Sequence, residues 1–257
     1  MVLFRTASLL FAALFAIAPA MRATAQGTRA LIVVTSRASI NGSGASAGCP
    51  LMDIVHPFDT FTQVGWRIDI ASPRGGEAPV NPASVDTTEP RIRQYLRGDT
   101  LLKRLLKHTI PSADITPDAY DVIYFAGGHG ALWDFLEDQS LGRAAGRIFG
   151  KRGILATVGE GAAVLLNTTR GDGTPLYSNA RLTCSTDEEL EAQGVLREMP
   201  YLLESSLRNG GAIHFKTPPF SPNTVVEHRL ITGQNSASSP GVAQAVVAKR
   251  KELLSEK

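Results

Sequence analysis

The sequence is poor in cysteine and shows no histidine pattern typical of a metal site. Two cysteines in 257 residues are too few for a disulfide-rich miniprotein or for a four-cysteine zinc site. The five histidines lack the His-Glu-x-x-His spacing of a helical zinc site. No apolar run reaches the roughly 20 residues that a membrane-spanning helix needs. We therefore predict neither a metal ion nor another cofactor.

The sequence does contain enough apolar residues for a substantial core. Hydrophobic residues make up 43% of the chain and charged residues 19%. This composition excludes a disordered or fibrous protein, and the length suits one large domain or two small ones. With 26 basic and 24 acidic residues, the formal net charge is only +2.

The N-terminal segment has the three parts of a secretory signal. A short basic region containing Arg5 leads into an apolar run from Ala7 to Ala18, and the small residues of Ala23-Thr-Ala25 follow. A run of this length is too short to cross a bilayer as a helix, although an uncleaved anchor is the alternative. We predict a signal peptide over residues 1–25 and an exported protein, either periplasmic or secreted.

Removal of this segment changes the charge balance. Arg5 and Arg22 leave with it, so the remaining chain has 24 basic and 24 acidic residues. A neutral chain offers no electrostatic reason for a nucleic-acid partner, or for a membrane partner after signal cleavage. We therefore expect a small-molecule ligand or substrate.

Apolar runs and helical patterns alternate along the rest of the chain. This alternation predicts one α/β domain over residues 27–257, with a doubly wound, mainly parallel sheet between helices. The segment from Gly171 to Cys184, with Asp172-Gly173 as its turn, predicts a small β-hairpin insertion. The predicted strands are 30–34, 67–70, 122–126, 154–158, 212–216 and 230–232, and the predicted helices are 50–64, 99–108, 141–150, 201–209 and one beginning near 240.

Two strand ends are candidate sites, because ligands of doubly wound sheets bind at the carboxyl ends of the strands. The turn Gly127-Gly128-His129-Gly130 offers backbone N–H groups that could cradle an anion, or it could be a tight connection only. The second candidate is the end of the predicted strand 154–158, where a sharp turn falls on Gly159, a residue that can adopt a positive φ without steric cost.

Four runs in this order resemble the ThiJ/PfpI superfamily, a group with a class I glutamine amidotransferase-like fold. They are similar to its heat-shock chaperone and glyoxalase III branch: 121–136 (DVIYFAGGHGALWDFL), 153–167, 199–204 (MPYLLE) and 230–239 (LITGQNSASS). The resemblance implies a flavodoxin-like sandwich. It also implies a site with a nucleophilic cysteine at a strained elbow, a histidine directly after it and a nearby acid. Members often form dimers, so a homodimer is also expected.

The chain departs from the family pattern at the nucleophile. Gly159 occupies the cysteine position, Glu160 the histidine position and Asp53 the position of the early acid. The outlying acid falls among residues 187–189, with Glu188 as our candidate, although Ser185 to Glu188 also fits a helix-capping box.

Asp53 and Glu160 form our candidate acid/base pair. Two carboxylates in one pocket disfavour each other's ionised form and can transfer protons without a covalent intermediate. The alternative is that Glu160 faces solvent or pairs with a basic residue. Further candidate binding residues border the same pocket in the family pattern: Gly127, Gly128, His129, Gly130, Cys49 and Asn235.

Three alternatives remain for Cys49 and Cys184. Export favours a disulfide between them, since oxidising compartments permit one. They could instead be two inert buried thiols, or one could be a relocated nucleophile. No histidine lies beside either cysteine in the sequence.

The sequence thus predicts an exported family member without the Cys-His pair, a pseudoenzyme that binds a small polar metabolite. A first alternative is a hydratase, lyase or isomerase that uses Asp53 and Glu160 on a small carbonyl or hydroxy compound. A second alternative is glyoxalase or deglycase activity retained through other residues. Holdase-type chaperoning has no exposed apolar stripe to support it.

Overall fold

A computed structural model describes residues 27–40 and 44–256 of the chain. The predicted signal peptide lies outside the described residues. The strands are β1 (Arg29–Val33), β2 (Arg67–Ser72), β3 (Ile110–Pro111), β4 (Val122–Phe125), β5 (Ile154–Val158), β6 (Arg181–Leu182), β7 (Ile213–His214), β8 (Thr224–Glu227) and β9 (Leu230–Gly233).

Seven of these strands form one sheet in the order β3-β2-β1-β4-β5-β9-β8. All neighbouring pairs in it are parallel except β8 and β9, which are antiparallel. In this order β1 and β4 are central, β2 and β3 lie on one side of them, and β5, β9 and β8 lie on the other. The predicted doubly wound, mainly parallel sheet is therefore confirmed.

Helices cover both faces of the sheet. They are α1 (Leu51–Gln63), α2 (Pro90–Leu96), α3 (Leu101–Lys107), α4 (Ala131–Glu137), α5 (Gln139–Gly150), α6 (Asp187–Ala192), α7 (Leu203–Asn209) and α8 (Ser239–Ser255). A long 3-10 helix, Gly159–Asn167, follows β5 directly. Within the described part of the chain, no helix has both the length and the apolar character that crossing a membrane requires.

The core consists of two apolar clusters, one on each face of the sheet. Side chains alternate across a strand, so Leu31 and Val33 of β1 belong to one cluster while Ala30 and Ile32 belong to the other. Buried residues of α4 and α5 complete the first cluster, and those of α1 and α8 complete the second. This arrangement aligns the ends of β4, β5 and β9 at one edge, where the loops after them meet.

The predicted hairpin within Gly171 to Cys184 is wrong in its extent. The Asp172 side chain does close a turn by accepting a hydrogen bond from the N–H of Thr174 at 2.9 Å. The antiparallel pairing around it is a single bridge between Thr169 and Pro175. Proline has no N–H with which to continue a ladder, and the chain instead enters β6, which pairs in parallel with β7.

Candidate functional site

A cavity of about 370 Å³ opens where the loops after β4, β5 and β9 meet. Gly128 and His129 enter it from the turn after β4, and Gly159 and Glu160 enter it from the elbow after β5. We call it the carboxylate pocket, because three acidic side chains line it: Asp53, Glu160 and Glu189.

Asp53 reaches the pocket from the first turn of α1 and is 1% exposed. Its Oδ2 accepts a hydrogen bond from the N–H of Gly127 at 3.1 Å, and its Oδ1 accepts one from the Ser239 hydroxyl at 2.7 Å. Burial raises the pKa of Asp53 to about 6, and the charge of Glu160 adds to the rise, although the serine hydrogen bonds oppose it. The carboxyl group therefore titrates close to neutral pH.

Glu160 follows the elbow and also turns inward, with 8% exposure. Its Oε2 accepts a hydrogen bond from the N–H of Gly128 at 3.2 Å, and its Oε1 accepts one from the Ser185 hydroxyl at 3.2 Å. Its basic neighbour is His129, whose Nε2 lies 3.6 Å from Oε1 and 3.0 Å from Oε1 of Gln193. Glu160 therefore faces the pocket and not the solvent.

The two carboxylates meet at Gly127. A Cβ on this residue would lie 2.6 Å from Oδ2 of Asp53 and 3.4 Å from Oε2 of Glu160. The first distance is shorter than non-bonded atoms tolerate, so a side chain at this position would displace Asp53. Glycine is needed here because both acids approach the backbone of the same turn.

These contacts overturn the expected anion cradle. The N–H groups of Gly127 and Gly128 already donate to the protein's own carboxylates, and that of Gly130 donates to the carbonyl oxygen of Ala47 at 2.8 Å. The turn is therefore an internal binding site for two acidic side chains. It does not present these three donors to a ligand.

Gly159 has the backbone conformation expected of the elbow. Its φ is +54°, in the left-handed region that glycine adopts without strain. A Cβ here would have ordinary contacts only, the nearest at 3.9 Å from Cα of Gly127. The elbow therefore has space for a Cβ, but its positive φ would strain any residue other than glycine.

The outlying acid in the pocket is Glu189, so the choice of Glu188 was wrong. Glu188 is exposed and pairs with Lys216 at 2.9 Å. Glu189 is 1% exposed and forms the capping box of α6 with Thr186, one residue later than the sequence pattern indicated. In the sequence, Ser185 with Glu188 fits a capping box as well as Thr186 with Glu189 does. Only the folded structure shows that the second pair caps α6.

Glu189 is fully occupied by hydrogen bonds. Its Oε2 accepts from the N–H of Thr186, and its Oε1 accepts from the N–H of Phe220 and from the side-chain amides of Gln234 and Asn235. Asn235 itself lines the pocket. Glu189 thus fixes the wall of the pocket and holds Asn235 in place.

The predicted disulfide does not form, and both cysteines are free and buried. Cys49 belongs to the apolar cluster of α1 and α8, whereas Cys184 belongs to the cluster on the opposite face of the sheet. Burial raises the pKa of both thiols well above the ordinary value. Although Gly48 and Pro50 line the pocket, Cys49 between them does not.

Cys184 has a histidine neighbour that sequence reasoning missed. Nε2 of His214 lies 3.6 Å from the Cys184 Sγ, and its Nδ1 lies 3.7 Å from Oε1 of Glu204. The two residues are 30 positions apart and meet only because β6 pairs with β7, Leu182 opposite His214. The cluster is buried, and its members do not line the carboxylate pocket.

Other pocket residues had no sequence signal either. Asn81 and Ser84 come from the segment between β2 and α2, Gln193 from the end of α6, and Ser185 from the loop between β6 and α6. These are common polar residues in loops, and only the fold brings them together. Among the residues that the structure describes, no three His, Cys, Asp or Glu side chains are grouped so as to hold a metal ion.

The buried charge of Asp53 should make stability depend on pH. Because the folded pKa lies above the ordinary 3.8, the folded protein binds this proton more tightly than the unfolded chain does. The contribution of Asp53 to the free energy of unfolding is therefore full below about pH 4, and it is lost as the pH rises through about 6. A rise of about two pKa units corresponds to about 3 kcal/mol.

We therefore expect Asp53→Asn to be more stable than the original protein at about pH 7.5, by about 1–3 kcal/mol. The amide can still accept from Gly127 and donate to the Ser239 hydroxyl. The gain should disappear near pH 4, as measured by urea unfolding at both pH values. Asp114→Asn, at an exposed carboxylate, is the control. An equal free energy of unfolding for Asp53→Asn and the original protein at both pH values would contradict this account.

Comparisons with known proteins agree with this architecture. No family model matches the chain. It is 30% identical over 216 residues to a putative glutathione-independent glyoxalase of Schizosaccharomyces pombe, hsp3105, covering 79% of this chain and 84% of that protein.

Two solved structures share the fold over most of their length. Rapid Encystment Protein 24 kDa of Francisella tularensis has a TM-score of 0.82 and 28% identity, covering 86% of this chain and 98% of that one. Glyoxalase III of Candida albicans has a TM-score of 0.81 and 24% identity, covering 86% and 97%. A ThiJ/PfpI domain protein of Brachyspira murdochii, with 17% identity and a TM-score of 0.61, has the same fold. The chain belongs to the family of glutathione-independent glyoxalases.

Proposed function

We propose that this protein binds a small polar metabolite in the carboxylate pocket and has lost the thiol chemistry of its family. The observation that carries the proposal is the elbow, where Gly159 keeps the left-handed backbone but has no side chain. Around it lie hydroxyl, amide and carboxylate groups suited to a polar compound. A volume near the lower end of the range for ligand pockets indicates a small compound.

The glyoxalase reaction that the family resemblance implies needs a thiolate next to the carbonyl group of the substrate. In the family resemblance, glyoxalase chemistry proceeds through a thiohemiacetal on the elbow cysteine. Neither Cys49 nor Cys184 lines the pocket, and burial raises the pKa of both thiols. Although Cys184 has a histidine beside it, neither residue lines the pocket, so the pair does not replace the missing nucleophile.

We expect the purified protein not to turn over methylglyoxal, with or without thiol alkylation under native conditions. Gly159→Cys should place a thiol in the pocket that iodoacetamide modifies in the folded protein, while Cys49 and Cys184 remain unmodified until denaturant is added. A non-glycine residue in the left-handed region costs about 1–3 kcal/mol, so the variant should still fold.

Gly173→Cys is the matched control for this variant. Gly173 also has a positive φ, +84°, and open space around it, but it lies on a surface turn outside the pocket. Small polar ligands should slow alkylation at position 159 and not at 173. Methylglyoxal turnover by the original protein that alkylation abolishes would refute the proposal.

A second candidate function is proton transfer by the two acids. The pKa of Asp53, raised to about 6 mainly by burial, suits a general acid or base near neutral pH. Nε2 of His129 lies 3.6 Å from Oε1 of Glu160, which places a second ionisable group beside the two acids. Such a site would serve a hydratase, lyase or isomerase acting on a small carbonyl or hydroxy compound.

A metabolite-library screen with the purified protein tests this candidate. If a substrate is found, Glu160→Gln and Asp53→Asn should each lower kcat by about 100-fold or more, as expected for loss of a general acid or base. Glu188→Gln, at an exposed residue outside the pocket, should retain full activity. Turnover that survives both pocket substitutions would exclude the carboxylates as the catalytic groups.

We also propose that residues 1–25 direct export and are then removed. The support is the basic, apolar and small-residue order of that segment. Mass spectrometry of the exported protein should give Gln26 as the first residue, and an intact Met1 in that fraction would refute cleavage. The homodimer that the family resemblance implies stays a prediction.

A further inference from the structure

Three of the side chains that line the carboxylate pocket are acidic, and no lysine or arginine lies among them. The acidic side chains are Asp53, Glu160 and Glu189, and the basic residue in the lining is His129. No described lysine or arginine lies within ion-pair distance of Asp53, Glu160 or Glu189. The pocket therefore places three carboxyl groups around one cavity, with no lysine or arginine to offset their charge.

The donors to these acids do not balance the charge. Asp53 accepts from the N–H of Gly127 and from a serine hydroxyl, and Glu160 accepts from the N–H of Gly128 and from a serine hydroxyl. All four donors are neutral groups. An ionised carboxylate has about four acceptor positions, so Glu160 still has acceptor capacity directed at the cavity.

Another buried acid in the same protein, Glu204, does have cations beside it. Glu204 is 3% exposed, and its Oε1 lies 3.4 Å from Nζ of Lys216 and 3.6 Å from a guanidinium nitrogen of Arg208. Burying a carboxylate without a cation is costly, and the protein supplies two cations for Glu204. The carboxylate pocket lacks an equivalent, and the open side of its acids is the cavity itself.

We propose that the metabolite bound in the carboxylate pocket is a small cation whose primary ammonium group contacts Glu160. This inference rests on the proposed function and specifies the ligand. The ammonium supplies a positive charge that no lysine or arginine of the lining provides. An anionic ligand would add a further negative charge beside two buried carboxylates.

The lining also distinguishes between kinds of cation. Quaternary ammonium groups are held by aromatic cages, because they have no N–H to donate. The pocket has no phenylalanine, tyrosine or tryptophan in its lining, and it presents carboxylate, amide and hydroxyl oxygens instead. A primary ammonium can use these acceptors. The amide of Gln193 lies in the same cavity, where it can contact a hydroxyl or carbonyl group of the ligand.

Three probes of nearly equal size and different charge test the inference: 1-amino-2-propanol, 1,2-propanediol and lactate. Binding is measured by calorimetry on the full protein at about pH 7.5 and low salt. We expect the amine to bind at least about tenfold more tightly than the diol, and lactate not to bind. Glu160→Gln should weaken amine binding about tenfold or more and leave diol binding within about twofold.

Asp53→Asn provides a second variant if Glu160→Gln does not fold, and it should also weaken the amine selectively. Glu188→Gln should bind all three probes as the original protein does. Diol or lactate binding as tight as that of the amine would overturn the charge inference but leave a functional polar pocket. Failure of all three probes to bind would overturn the proposed function and this inference with it.

Discussion

The site depends on two hydrogen bonds from one glycine turn. The N–H groups of Gly127 and Gly128, directly after the central strand β4, donate to Asp53 and Glu160. These bonds join three separate parts of the chain, namely α1, the turn and the elbow after β5. Buried carboxylates need such donors, since the free energy of an unsatisfied buried charge is large. Gly127 donates to Asp53 alone, and both acids can approach this residue closely only because it has no Cβ.

The same arrangement explains how the pocket differs from a nucleophilic site. Gly159 retains the positive φ of the elbow, so the backbone that would present a nucleophile is intact. The side chain next to it, Glu160, is an acid and is held by the turn and by Ser185. Glu189 accepts four hydrogen bonds, and three acidic side chains line a polar cavity.

Local sequence patterns predicted the central strands well and the edges poorly. The β-branched runs of β1, β4 and β5 are buried on both faces, and their positions agree closely with the prediction. The edge strand β3 has only two residues, one of them Pro111, and β8 is half exposed, so neither has a strong apolar pattern. An edge strand forms because its backbone pairs with the free N–H and C=O groups of the neighbouring strand. Its own residues carry no pattern that would predict this pairing.

The sequence alone determined the fold class, the glycine at the elbow and the absence of a thiol there, because these follow from residue identity and local periodicity. Only the tertiary structure decided that Glu189 and not Glu188 lines the pocket, and that the sheet separates Cys49 from Cys184. It also decided that His214 meets Cys184 and that the glycine turn binds the protein's own acids. The reason is physical: a buried polar group takes its partner from whichever distant segment packs beside it, and that choice depends on the whole fold.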